Sequence, residues 1–236
     1  MPVLLMARGD PASKALLRRA IEARYGFGPP VIESLKLHLK GRARTKVGPV
    51  TTWMPLEVAA TFKFGFAVRW DYTARPVGIA LNSGAETFDG TICRRQQGSE
   101  PVTVIDDPDQ AASMRARLWS LSALLLTPLS EHFVELAAVD ERTFSATNRE
   151  SDVSARLHLG DDDMLEYTET TCLNPATGNI ETYRVWLSDG QRLVGDLMLP
   201  RKLGISWGNQ PEVELTPTEA KSNQPVDDSI FRMENS

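Results

Sequence analysis

The sequence predicts an α+β fold that is mainly β: a large, strongly curved antiparallel sheet whose concave apolar face is covered by an N-terminal and a mid-chain helix. Three observations lead there. Two segments carry helix start and stop signals, and most of the remaining chain alternates apolar and polar residues with a period of two. The alternating segments are separated by hairpin-type turns, and no βαβ alternation occurs.

Asp10 before Pro11 reads as an N-cap and first helical position, and Leu16, Leu17, Ala20, Ile21 and Tyr25 follow at helical spacing. Gly26, Gly28, Pro29 and Pro30 stop this helix. The period then becomes two. Leu35, Leu37 and Leu39 alternate with Lys36, His38 and Lys40, and Leu56, Val58, Ala60 and Phe62 continue the pattern. In FAVRWDY, Phe66, Val68, Trp70 and Tyr72 share one face, while Ala67, Arg69 and Asp71 share the other. Val77, Ile79 and Leu81 read as a further strand before the turn-forming NSG.

The mid-chain helix is DDPDQAASMRARLWSLSALLLTPL, with Asp107 as cap, Pro108 in the first turn, Gln110 completing a capping-box pattern and Pro128 as stop. Ala111, Met114, Leu118, Leu121 and Leu125 form its apolar stripe, widened by Leu124 and Trp119. Strands resume in FVELAAV, RTFSATN, SARLHLG, MLEYTETTC, ETYRVWL, RLVGDLMLP, LGISW and EVELT. Gly160 to Asp163, Asn174-Pro175 and Asp189-Gly190 punctuate them as turns. With no repeat, linker or low-complexity tract, the expectation is one domain over 1–236, loosely ordered at 1–9 and 234–236.

A formal net charge of -5 argues against a phosphate-binding surface, so nucleic acid is not an expected partner. No apolar run reaches the roughly 18 residues of a membrane-spanning helix. The opening MPVLLMARGDP holds a short apolar run, below the length of a signal-peptide core, so the chain as given shows no signal peptide. Cys93 and Cys172 lie far apart, in no metal-ligand spacing, and read either as a disulfide or as two buried thiols.

The apolar residues Phe66, Val68, Trp70 and Tyr72, facing Leu118, Leu121 and Leu125, are the candidate lining of a ligand cavity. The same stripes also describe plain core, which leaves a packed interaction domain as the alternative. No catalytic constellation, cofactor motif or metal site is expected. His38 and His158 sit on polar strand faces, and His132 with Glu135 is an isolated HxxE. GDDDM lacks the spacing of a calcium loop, and Ser120, Ser122 and Ser130 lie in no nucleophile elbow. Arg94, Arg95, Gln96 and Gln97 read as a solvated strand end or a polar rim.

The order of these elements, with GPVTTWMPLEVAATFKFGFAVRWDY in the first half and LVGDLMLPRKLGIS, VELTPTEAKSNQPVDDSIFRM at the end, resembles the lipoprotein-carrier superfamily of bacterial envelopes, the LolA/LolB/LppX-like half-barrels. The closing PVDDSIF is similar to the family's final pattern. The stretch from Trp53 through Trp119 to Asp140 also resembles uncharacterised bacterial domains of unknown function. The resemblance implies a half-barrel with a helical lid over a cavity for acyl chains, non-enzymatic binding of a lipid or lipidated protein, and transient membrane contact. It implies a periplasmic or envelope location, against a cytoplasmic one if the chain starts without a signal. It also implies a structural role for Phe231 as a plug, with Asp227 and Asp228 exposed. Such proteins hold the lid with an interior arginine, a role assigned to no residue from this sequence.

Overall fold

The computed structural model describes residues 6–233 except 48, 65–66 and 76–81. The first half of the chain runs through β1 (Arg8–Gly9), α1 (Pro11–Tyr25), β2 (Ser34–Val47), β3 (Val50–Lys63), β4 (Ala67–Ala74), β5 (Asn82–Phe88), β6 (Cys93–Gln97), β7 (Thr103–Ile105) and α2 (Pro108–Ala123). The second half is a meander of β8 (Val134–Ala138), β9 (Thr143–Asn148), β10 (Val153–Leu159), β11 (Leu165–Leu173), β12 (Ile180–Val194), β13 (Leu197–Trp207) and β14 (Gln210–Ser222). All fourteen described strands form one open, curved sheet in the order β1-β8-β9-β10-β11-β12-β13-β14-β2-β3-β4-β5-β6-β7. Every neighbouring pair is antiparallel except β1 with β8.

That order decides where α2 lies. β7 ends one edge of the sheet and β8 stands beside the other, so the chain between them must travel the whole width of the sheet. α2, of 16 residues and roughly 24 Å, makes this crossing over the concave face. Its start follows the sequence signals: Asp107 Oδ1 accepts from the backbone N–H of Asp109 at 2.9 Å and of Gln110 at 3.4 Å. It ends at Ala123, ahead of Pro128, where Leu126 takes a positive φ of 63° and a short 3-10 turn follows over Thr127–Ser130.

α1 is likewise capped as expected. Asp10 accepts from Ser13 N at 2.8 Å, and its second oxygen accepts from Ala138 N at 3.0 Å, which ties the helix start to β8. These hydrogen bonds, Ser13 first and Ala138 next, hold the Asp10 carboxyl down at about 2. Leu16, Leu17, Ala20 and Ile21 are buried against Trp119, Leu136, Phe144 and Leu157. Of the start expected to be loose at 1–9, residues 1–5 lie outside the described residues, and residues 6–9 make regular contacts. Met6 N and Ala7 N both donate to Ser130 O, Ala7 is buried, and Arg8–Gly9 pairs with β8. The backbone groups of β8 on that side gain partners.

Two of the expected strand boundaries also shift. Asp189-Gly190, read as a hairpin turn, is a β-bulge inside one long strand. Ser188 pairs with Lys202 and Gln191 with Pro200, so two residues oppose the single Arg201. Both bulge residues have positive φ, and Asp189 is held by Lys202 Nζ at 2.7 Å. The hairpin falls instead at Gly195-Asp196, between the paired Val194 and Leu197. ETYRVWL and RLV therefore belong to β12, and LMLP and LGISW to β13. The strand expected at Val77, Ile79 and Leu81 lies outside the described residues.

The C-terminal PVDDSIF docks on the outside of the sheet. A 3-10 turn over Asp228–Phe231, capped by Asp227, packs on β4. Lys63 Nζ reaches Asp228 at 2.7 Å, Arg69 donates to Ile230 O at 3.4 Å, and Phe231 is 1% exposed.

The two meanders join where β2 pairs with β14, and there the backbones come close at Gly41, opposite Leu215. A Cβ at Gly41 would lie 1.9 Å from Glu214 O. Gly41→Val is expected to cost about 1–3 kcal/mol by forcing the seam apart, read as a lowered chemical-denaturation midpoint. Gly28→Ala, where a Cβ meets nothing within 4 Å, is the control expected to leave the midpoint unchanged.

Candidate functional site

The concave face is not fully filled. Between the sheet and α2 lies a cavity of about 410 Å³ that opens to solvent, within the range of roughly 300–1,000 Å³ usual for small-molecule sites. Its floor follows from strand periodicity. Leu35, Leu37 and Leu39 of β2, Leu56, Val58, Ala60 and Phe62 of β3, and Trp70 and Tyr72 of β4 alternate with solvent-facing residues, so every second side chain points inward. Leu199, Leu203, Ile205 and Trp207 of β13 and Val213, Leu215 and Pro217 of β14 continue it across the seam. The roof is α2 and the turn after it, through Arg117, Leu121, Leu124 and Leu125. The helical part of that set, 117, 121 and 124, is spaced i, i+4, i+7.

Of the seven candidate residues, Trp70, Tyr72, Leu121 and Leu125 line this cavity. Val68 and Leu118 do not. They are packed into solid core with Phe88, Cys93, Ala111 and Met114, because Val68 is paired between Phe62 and Phe88 under the α2 residues Met114 and Leu118. Phe66 lies outside the described residues. The indole of Trp70 is fixed by a 2.9 Å hydrogen bond to Glu86 Oε2, and Glu86 also receives Arg95 Nη2 at 2.9 Å.

Three charged residues of the cavity were not read from the sequence: Arg24, Arg117 and Glu212. Arg24, at the end of α1, is buried and fully engaged. Its Nε and Nη2 donate to Met198 O at 3.2 and 3.0 Å, and Nη1 donates to Leu124 O. Beside it, Tyr25 Oη donates to Leu125 O at 3.0 Å. The carbonyls of Leu124 and Leu125 follow the end of α2, where helical acceptors run out and a positive charge is favoured, and that of Met198 belongs to β13. Burial lowers the Arg24 pKa from its usual value, opposed by Tyr25. Arg24 thus joins α1, the end of α2 and β13 in one set of contacts. A sequence signal existed: Arg24 lies at i+4 from Ala20 and i+7 from Leu17, on the apolar stripe of α1.

Arg117 has no such partners. It makes no hydrogen bond or ion pair among the described residues, and its Nε is buried. Glu212, on β14, forms no ion pair among the described residues; burial raises its pKa, Glu181 adds to the rise, and Arg44 opposes it.

A second depression of about 730 Å³ lies on the other side of α2, bordered by Asp109, Ser113, Arg156, Glu169 and Cys172. It is larger but polar, and several of its groups are already paired. Glu169 receives Arg184 at 2.7 Å and stands 3.6 Å from Arg156, and Ser113 Oγ donates to Leu173 O at 2.6 Å. The apolar cavity is therefore the better candidate site.

The other singled-out residues have local roles. His38 and His132 are exposed, and His158 bonds Thr143 Oγ1 at 2.9 Å and stacks on Tyr167. In GDDDM, Asp161 pairs with Arg142, Asp162 accepts from Met164 N, and Asp163 pairs with Arg19. Ser120 bonds Thr168, and Ser122 donates to Leu118 O. Arg94 is held by Asp89 at 2.7 Å. Among the described residues, no three His, Cys, Asp or Glu side chains gather as a metal site, and no helix is long and apolar enough to cross a membrane.

With this geometry in place, the comparisons place the fold. No family model matches the chain, and no curated protein matches it. Among solved structures, a LolA superfamily protein from Nitrosomonas europaea matches with a TM-score of 0.51 and 13% identity, over 93% of this chain and 96% of that one. The chain has the LolA-superfamily fold. A DUF1329 family protein from Desulfovibrio piger matches with a TM-score of 0.49 and 11% identity, over 93% and 97% of the two chains. The resemblance read from the sequence thus holds at the level of the fold shared with the Nitrosomonas europaea protein.

Both cysteines are free and buried, Cys93 against α2 residues on the β6 side and Cys172 on the β11 side. Burial, then the nearby Glu86, pushes the Cys93 thiol up to about 11, and burial raises Cys172 as well. Neither is expected to react with a thiol-specific chromogenic disulfide at pH 8 in the native protein, and both are expected to react after denaturation without reductant.

Proposed function

We propose that this chain binds a hydrophobic ligand, a lipid or the acyl part of a lipidated protein, in the cavity beneath α2, and carries it without catalysing a reaction. The observation that carries this reading is the cavity itself: about 410 Å³ left open between apolar strand faces and a helix. Apolar walls facing an unfilled space leave burial undone, and an acyl chain entering it gains about 0.8 kcal/mol per buried CH₂. The fold shared with a LolA superfamily protein supports the same reading. A cell-envelope location and brief contact with a membrane during loading belong to this proposal.

The ligand-contacting residues in this reading are Trp70, Tyr72, Leu121 and Leu125, with the leucines of β2 and β3. A shift of α2, which lies over the concave face, widens the opening for loading in this reading. The alternative of a packed interaction domain finds less support, since a filled core would leave no such space.

Native mass spectrometry of the purified protein, followed by organic extraction, tests this. A co-purifying lipid is expected. Leu121→Asp, placing a charge in the roof, is expected to abolish it while circular dichroism stays native. A clean unliganded mass that persists when phospholipid and fatty acid are offered would overturn the carrier reading.

A further inference from the structure

We infer that the ligand of this cavity is an amphiphile with an acyl chain and an anionic head group, the head held by the unpaired guanidinium of Arg117. The inference rests on the binding reading above and adds the charge of the ligand. Arg117 stands on the cavity-facing stripe of α2, one turn before Leu121 and two before Leu124. It is half-buried, its Nε is shut off from solvent, and no acceptor among the described residues meets it. A buried N–H donor without an acceptor is unfavourable, as at Nε, and a carboxylate or phosphate oxygen in the cavity would meet the guanidinium there. The planar fork of arginine suits such groups, since it offers two parallel N–H donors.

The surroundings fit a head group at this end and a chain at the other. Tyr183 and Trp207 stand on the same side as Arg117, both lining the cavity, and neither ring makes a side-chain hydrogen bond among the described residues. Each offers a further donor. From there the walls turn apolar through Leu203, Leu215 and Leu39 toward Phe62 and Leu35, roughly 10 Å along the helix toward the Arg24 end. Arg24 is the poorer partner for the anion, because each of its three nitrogens already donates to Met198 O or Leu124 O. Glu212 is the one acid lining the cavity among the described residues. It would repel an anion placed next to it, yet no ion pair joins it to Arg117, which leaves the cation to the ligand.

The test uses dansyl-undecanoic acid and its methyl ester, two fluorescent probes that share the chain and differ in a charged against an uncharged, methylated head. The acid is expected to bind wild type about tenfold tighter than the ester or better. Arg117→Gln is expected to bring the acid down to the ester's affinity and leave the ester's unchanged; Arg117→Lys is expected to retain part of the preference, and Glu212→Gln, which removes a repelling charge, to keep or raise it. Displacement of the acid by free dodecanoate alone assigns the head to a fatty acid, and displacement by phosphatidylglycerol vesicles but not phosphatidylcholine assigns it to an anionic phospholipid. Both support the inference. Equal binding of acid and ester by wild type, or a preference that survives Arg117→Gln, overturns it and leaves the cavity reading standing. If neither probe binds a wild-type protein of native circular dichroism, the cavity reading fails, and this inference with it.

Discussion

The structure depends on one topological constraint: β7 and β8 are consecutive in the chain but lie at opposite sides of a fourteen-stranded sheet. A connection between them has to cross a face of that sheet. The concave face is the apolar one, so the crossing segment must be helical, to pair its own backbone groups, and apolar on several sides. α2 meets both demands. Met114 and Leu118 pack toward β5 and β6, Trp119 and Ala123 belong to the core over β9 and β10, and Ala116 packs toward β11 and β12. A single narrow stripe would not serve a helix lying inside a curved sheet.

The cavity is a consequence of the same geometry. A helix is about 10 Å wide, and a sheet that curves around it touches it on the flanks before the middle. The flanks are filled: Val68 and Phe88 on one side and Leu157, Phe144 and Leu136 on the other are almost wholly inaccessible. The strands β2, β3, β13 and β14 lie at the centre of the sheet order, and they supply most of the cavity floor. A core with this shape closes only if the central side chains grow or the helix drops. Leucine, valine and alanine at 37, 39, 56, 58 and 60 are too short to reach the helix.

Much of this was legible in the sequence, and the parts that were not share a cause. Caps and periods are local, so both helices appear with the starts given by Asp10 and Asp107. The apolar faces of β2, β3 and β4 are equally local. Strand merging is not: Asp189-Gly190 carries the chemistry of a turn, and it becomes a bulge because β13 continues opposite it, a fact of pairing between segments. Likewise Val68 and Trp70 share a face and a pattern, yet one is sealed under α2 and the other borders open space. Periodicity tells which face is inward and is silent on what stands across from it.

The same silence hides the charged residues of the interior, and here the two arginines separate structure from function. Arg24 and Arg117 both interrupt apolar stripes, and sequence alone gives them equal standing. Arg24 ends against the carbonyl of Met198 in β13 and that of Leu124, just past the end of α2 where helical bonding stops, so the protein itself supplies its acceptors. Arg117 ends against aliphatic and aromatic walls. Folding places its stem among apolar neighbours for packing, which a leucine would do as well without the desolvation of a charge. A cation at such a position, facing a cavity that opens to solvent and meeting no acceptor among the described residues, is the observation from which the anionic head group is proposed.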